Sequence, residues 1–191
     1  MTIKILAASG SARRGSFNQK ILDLAALGAT QAGAEVTAVR LADFELPLYD
    51  ADLEAEQGVP GSVRALQALV AEHDALLIAT PEYNGGYSAL LKNAIDWISR
   101  SREDGSSRVA LLSGKVAALV SASPGQLGGL RSQTGLRVVL DKLGVLVIPE
   151  AFALSVAHEA FDADGNMKDA NAERLIEAVG AALFRTASRL A

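Results

Sequence analysis

Three short stretches of this chain combine hydroxyl, glycine and charged residues in patterns that suit ligand binding. The first, Ser9–Asn18, is S-G-S-A-R-R-G-S-F-N. Ser9, Ser11 and Ser16 supply hydroxyls, and Arg13 and Arg14 supply positive charge. Ser16 stands where a helix N-cap is expected, with Gln19 three residues on as in a capping box. A helix start presents unpaired N–H groups and partial positive charge, so it binds anions. With the hydroxyls and an arginine it makes a phosphate cradle. The loop is neither a Walker loop nor a dinucleotide fingerprint. Taken alone, it is equally a capped helix with exposed basic residues.

The second stretch, Pro81–Gly86, is P-E-Y-N-G-G. A planar heterocycle with amide-like edges needs backbone donors and acceptors and a flat wall. Pro81 stiffens the entry, Tyr83 can stack or lean on a ring, Asn84 can bond a pyrimidine-type edge or hold the loop, and Gly85-Gly86 admit close backbone approach. Glu82 has two readings, an acid in the chemistry or a structural partner at a cation or subunit contact; the second is favoured. The third stretch, Ser121–Gly129, is S-A-S-P-G-Q-L-G-G. Ser121, Ser123 and Gly125 are its candidates, and a plain turn with an N-cap explains it equally well in isolation.

Other chemistry falls away. His73 and His158 have no metal-ligand neighbours at useful spacing, and Asp162–Gly165 lacks the further ligands of a calcium loop. No Ser–His–acid set is visible, so hydrolase chemistry is weakly supported. No metal site and no catalytic side chain is expected.

The elements that must position these loops follow from apolar runs. Strands are expected at Ile3–Ala8, Glu35–Leu41, Ala75–Thr80, Lys115–Ser121 and Gly144–Ile148, the last stopped by Pro149. Helices are expected at about Phe17–Ala32, Gly61–Glu72, after Gly86, Leu127–Leu143 and Ala170–Leu190. Ala42–Pro60 is expected to be a long irregular connection, Ser101–Ser107 polar and exposed, and Ala153–Asp169 a tail loop. Strands alternating with helices imply an α/β fold with a parallel sheet covered on both faces. Five strands suit the flavodoxin-like order 2-1-3-4-5, a three-layer arrangement whose crevice lies beyond the carboxyl ends of strands 1 and 3. No repeat or linker divides the chain, so residues 1–191 are expected to form one domain.

Bulk properties agree. The 191 residues are half hydrophobic, with a net charge of −4 and no cysteine. The acidic balance argues against a nucleic-acid partner. The absence of cysteine excludes disulfides and thiolate chemistry, and suits a reducing compartment. The first ten residues lack the basic region and long apolar core of a signal peptide. No apolar run is long enough to cross a membrane. The expectation is a soluble cytoplasmic protein.

Together, S-G-S-A-R-R-G-S-F-N at Ser9–Asn18 and P-E-Y-N-G-G-Y-S-A-L-L-K-N-A-I-D-W at Pro81–Trp97 resemble the NADPH-dependent FMN reductase family of the flavodoxin-like superfamily. The likeness covers essentially the whole chain. It implies bound FMN, with NADPH or NADH as co-substrate and ping-pong hydride transfer to a quinone, flavin, chromate or azo acceptor. It assigns the FMN phosphate to Ser11, Arg13, Ser16, Phe17 and Asn18, with Ser9 beside them. The ring falls to Pro81, Glu82, Tyr83, Asn84 and Gly85, and another edge to Ser121, Ser123 and Gly125. It also implies a homodimer or homotetramer, with the Lys92–Trp97 helix at an interface. Many family members carry Pro-Gly where this chain has Ser88-Ala89. The rival from another class is a flavodoxin-type electron carrier; the two arginines in the phosphate loop and the modest charge favour the reductase. A flavin-free domain on the same fold is a third reading.

Overall fold

Apolar side chains alternate between two faces in the inner strands, and both faces are buried. The computed structural model describes residues 2–100 and 110–191. In β1 (Lys4–Ser9), Ile5 and Ala7 join one core and Leu6 the other. In β3 (Ala75–Ala79), Leu77 and Leu76 divide in the same way. Successive side chains of a strand point to opposite faces, so an unbroken apolar run needs cover above and below. With β2 (Glu35–Arg40), β4 (Val116–Ala122) and β5 (Leu146–Leu154) they form a five-stranded sheet in the order β2-β1-β3-β4-β5, parallel at every pairing.

One face is covered by α1 (Phe17–Gln31) and α6 (Ala170–Leu190), with Ile21, Leu22, Ile176 and Leu183 fully buried. These helices meet backbone to backbone. A Cβ on Gly180 would stand 1.8 Å from the Ala25 carbonyl oxygen, and one on Gly28 would stand 2.1 Å from that of Glu177. The other face is covered by α3 (Gly61–Glu72), α4 (Ala89–Ile98) and α5 (Leu130–Lys142), with Leu66, Leu91 and Leu136 buried against Leu119. Full burial of one such side chain stabilises the fold by about 1.5–3 kcal/mol.

Three expectations change. The connection after β2 is ordered, with a 3-10 turn at Leu41–Asp43 and a short helix α2, Ala51–Gln57, capped by Asp50. Its middle is pinned to α4. The Asn93 carboxamide donates to the Pro47 carbonyl (2.8 Å) and accepts the Tyr49 N–H (2.8 Å), and the Trp97 indole N–H donates to Pro47 as well (2.7 Å). Trp97 is fully buried. Pro149 does not stop β5, which runs on to Leu154 across a register shift opposite Ala117–Leu119. Proline is tolerated there because β5 is an edge strand. Finally, α5 starts at Leu130, because Gly128 and Gly129 both hold positive φ. The polar segment 101–107 lies outside the described residues.

The register brings the strand ends together. Ser9 pairs with Ala79, and Ala79 with Val120. The loops leaving β1, β3 and β4 therefore emerge side by side.

Candidate functional site

The loop after β1 turns straight into a helix start. Gly10 N–H donates to the Ala79 carbonyl (2.9 Å), tying the loop to the end of β3. Ser9 is buried, and its hydroxyl accepts the Ser11 N–H (3.3 Å), so Ser9 shapes the loop from behind. Ser16 is the N-cap of α1 and accepts the Gln19 N–H (3.4 Å). Gln19 does not return the bond; its amide goes to Asp23 (2.8 Å), which leaves half a capping box. The first turn of α1 has no intrahelical acceptors for its N–H groups.

Arg13 is exposed, and its guanidinium sits 4.8 Å from the Phe17 ring centre. Phe17 stacks in parallel on Phe161 at 6.0 Å, and Lys20 Nζ lies 4.6 Å from the Phe161 ring. This ladder restrains Arg13 beside the helix start. Phe161 belongs to the loop after β5, and nothing in its sequence context signals a role near the first loop.

The loop after β3 is a two-residue hairpin. Tyr83 N–H donates to Gly86 O (2.9 Å), and Gly86 N–H donates to Tyr83 O (3.1 Å). Asn84 and Gly85 between them have φ of 52° and 82°. Asn-Gly is the favoured pair where both central residues need positive φ. Asn84 is therefore a turn residue, and it is Gly85 whose freedom the turn requires; a Cβ on Gly86 would meet only open space and Tyr83 O at 3.8 Å. The hairpin leaves Tyr83 54% exposed above Pro81, which is buried.

Glu82 has a side chain only 7% exposed, and it reaches the first turn of α5. Its Oε1 accepts Arg131 Nε–H at 2.7 Å and also meets Arg131 Nη2; its Oε2 accepts the Arg131 backbone N–H at 3.2 Å. A carboxylate at a helix N-terminus gains from the peptide dipoles as well as from the guanidinium. Of the two readings of Glu82, the structure favours the structural one, within the chain.

Ser88-Ala89 also finds its reason here. The Ser88 hydroxyl accepts the Leu91 N–H (3.2 Å), capping α4, and donates to Gly10 O (2.6 Å). One hydroxyl joins the first loop to the helix that follows the second.

The third loop is held from below. Ser121 is buried; its hydroxyl donates to Gly128 O (2.8 Å) and accepts from Gln133 Nε2 (2.6 Å). The close approach of Gly128 and Gly129 is to the protein's own sheet. A Cβ on Gly128 would lie 2.7 Å from the Ala153 carbonyl carbon, and one on Gly129 would lie 2.7 Å from Ser121 Cβ. Gly125 N–H donates to the Ser123 hydroxyl (3.1 Å) in a local turn.

These loops enclose a cleft of about 200 Å³. Nine of the residues expected at a site line it: Ser11, Arg13, Ser16, Phe17 and Asn18 from the first loop, Pro81, Glu82 and Tyr83 from the second, and Ser123 from the third. Ser9, Asn84, Gly85, Ser121 and Gly125 are not in its wall. Ala122 and Pro124 are, and sequence reasoning missed them. One end offers an anion the N–H groups of a helix start, hydroxyls and Arg13. The other end offers a flat, mostly apolar surface. That donor set suits a phosphate monoester tethered to a planar ring. Among the described residues, no cluster of three or more acidic or histidine side chains could hold a metal ion, and no helix is long and apolar enough to cross a membrane.

The comparisons with known proteins agree with this geometry. The chain is 42% identical over 178 residues to an NAD(P)H-dependent FMN reductase of Pseudomonas aeruginosa, covering 92% of this chain and 90% of that one. It is 38% identical over 147 residues to a quinone reductase of Escherichia coli K12, covering 76% and 73%. Among solved structures, it superposes on FerB, a flavoenzyme NAD(P)H:(acceptor) oxidoreductase from Paracoccus denitrificans, with a TM-score of 0.79, 29% identity and 98% coverage of both chains. The sequence model described as NADPH-dependent FMN reductase matches residues 3–159, and the chain belongs to that family.

Proposed function

We propose that the protein is an FMN-dependent NAD(P)H oxidoreductase that reduces a quinone by two electrons in a ping-pong cycle. The observation that carries this reading is the single cleft built by three loops at the carboxyl ends of β1, β3 and β4, cationic at one end and flat at the other. FMN has the matching form, a terminal phosphate joined by a ribityl chain to a planar ring. FMN held there would supply two-electron chemistry, taking a hydride from NAD(P)H and returning a hydride to the quinone, which with one proton from solvent is the hydroquinone.

The chain's own residues bind and orient. Ser11, Ser16, Arg13 and the first N–H groups of α1 hold the phosphate. Phe17 and Asn18 close the cradle from the helix side. Pro81 and Tyr83 support the ring, and Ser123 lies at a further edge. Glu82 and Asn84–Gly85 hold the hairpin in shape, while Ser9, Ser121 and Gly125 shape the loops from outside the wall. No side chain is assigned as a general acid or base.

Assembly as a homodimer or homotetramer is part of this proposal. Because Trp97 is buried, an interface through α4 would use its open side, where Lys92 and Asp96 pair with each other at 2.8 Å.

Purified protein tests the reading. It should be yellow, release FMN on denaturation, and oxidise NADPH in the presence of a soluble benzoquinone with parallel-line initial-rate kinetics. Protein that neither carries nor takes up FMN would refute it. FMN binding without NAD(P)H oxidation would point to an electron carrier instead.

A further inference from the structure

The Glu82–Arg131 pair joins a residue of the cleft wall to one outside it. Glu82 is part of that wall and its side chain is nearly removed from water. Arg131 does not line the cleft. It stands behind the hairpin, with Nε 3.9 Å from where a Cβ on Gly85 would be, and its side chain is 62% exposed. Both Glu82 oxygens are engaged by this one residue, through side chain and backbone. A carboxylate so poorly hydrated is costly to bury without such a partner. The Glu82 charge beside the cleft is thus compensated by a residue outside the wall.

We propose that this pair sets how tightly the site holds reduced relative to oxidised flavin, with Arg131 as a positioning residue that acts through Glu82. The proposal rests on the FMN reading above. Two-electron reduction adds negative charge to the ring near neutral pH. An uncompensated carboxylate in the wall would oppose that charge, and poor hydration would strengthen the opposition. With Arg131 in place, the wall is close to neutral.

The test is titration of wild-type apo-protein, Arg131→Gln, Glu82→Gln and the double variant with oxidised FMN and, under anaerobic conditions, with dithionite-reduced FMN. Arg131→Gln should lower the affinity for reduced relative to oxidised FMN about tenfold, equivalent to a two-electron midpoint about 30 mV lower. Glu82→Gln should shift the ratio in the opposite direction, and the double variant should return it toward the wild-type value. A ratio that is unmoved in both single variants, or that moves the same way in both, overturns the charge pair. Should Arg131→Gln fail to fold, the Glu82→Gln shift alone decides, and its absence counts against the proposal. Wild-type protein that binds neither form of FMN refutes the flavin reading, and this one with it. That result is distinct from FMN uptake with an unmoved ratio, which overturns the pair alone.

Discussion

The Asn18 carboxamide pairs with the backbone of Ala122 through two bonds. Nδ2 donates to the Ala122 carbonyl at 2.9 Å, and Oδ1 accepts the Ala122 N–H at 3.0 Å. A side chain from the first turn of α1 thus takes the place of a neighbouring strand at the end of β4. It locks the first loop to the third across 104 residues of chain. Asn18→Ala orphans a buried N–H and a buried C=O together. Each unsatisfied group costs about 1–3 kcal/mol, so the urea midpoint of apo-protein should fall by the equivalent of about 2–4 kcal/mol, with FMN affinity falling too. If FMN affinity dropped while the midpoint held, Asn18 would be a ligand group and not a strut.

Arg13 should behave in the opposite way. It is exposed, and its side chain meets the Phe17 ring and makes a long 3.4 Å bond to Gly15 O. Charged hydrogen bonds contribute about 1.5–3 kcal/mol, so Arg13→Ala should weaken FMN binding about 10- to 100-fold. Surface substitutions usually change stability by about 0.5 kcal/mol or less. Fluorescence titration of apo-protein reads the first effect and thermal melting the second. Unchanged FMN affinity would remove Arg13 from the phosphate cradle.

At the α1–α6 contact, steric exclusion should override helix propensity. In an exposed helix, Gly→Ala gains up to about 1 kcal/mol. Here the Cβ of Gly180→Ala would fall 1.8 Å from the Ala25 carbonyl oxygen. Overpacking of a rigid backbone contact costs about 1–3 kcal/mol or more, so Gly180→Ala should lower the melting temperature. A higher one would mean that the helices separate easily.

Lys115 predicts a pH dependence remote from the cleft. Burial holds its pKa below the ordinary 10.5, with the Asp74 carboxylate opposing the shift. Below the folded-state pKa, both folded and unfolded chains carry the proton, and the folded protein bears the full cost of a poorly hydrated charge. As pH rises through the window up to 10.5, the unfolded chain holds more protons than the folded one, so stability rises. Urea midpoints of wild type and Lys115→Met, followed from neutral pH to about 10.5, should diverge in favour of the wild type. Parallel curves would contradict the shift.

Much of the fold was legible because the inner strands are covered on both faces. Leu76–Ala79 is a continuous apolar run flanked by polar turns, and such a run has few other places to go in a chain of this size. The elements misjudged lie at the periphery. α2 is only seven residues long and buries no side chain fully, so no apolar stripe announced it. Pro149 signalled a stop, but an edge strand has one unpaired side where a missing N–H costs little.

Within the site, residue types and local spacing were enough for Ser16 as a cap and for the helix start behind it, because both depend on the chain within a few residues. Asn84 had two roles open to it, bonding a ring edge or holding the loop, and its positive φ supports the second. What only the tertiary structure decided is every relation across long sequence distance: Phe161 beneath Phe17, Ala122 against Asn18, Ser88 against Gly10, and Arg131 behind Glu82. A hydroxyl, an amide or a carboxylate can satisfy its bonding in many ways, and local sequence does not choose among them. The choice falls to parallel strand register, which sets three loops side by side and leaves each buried polar group one partner within reach.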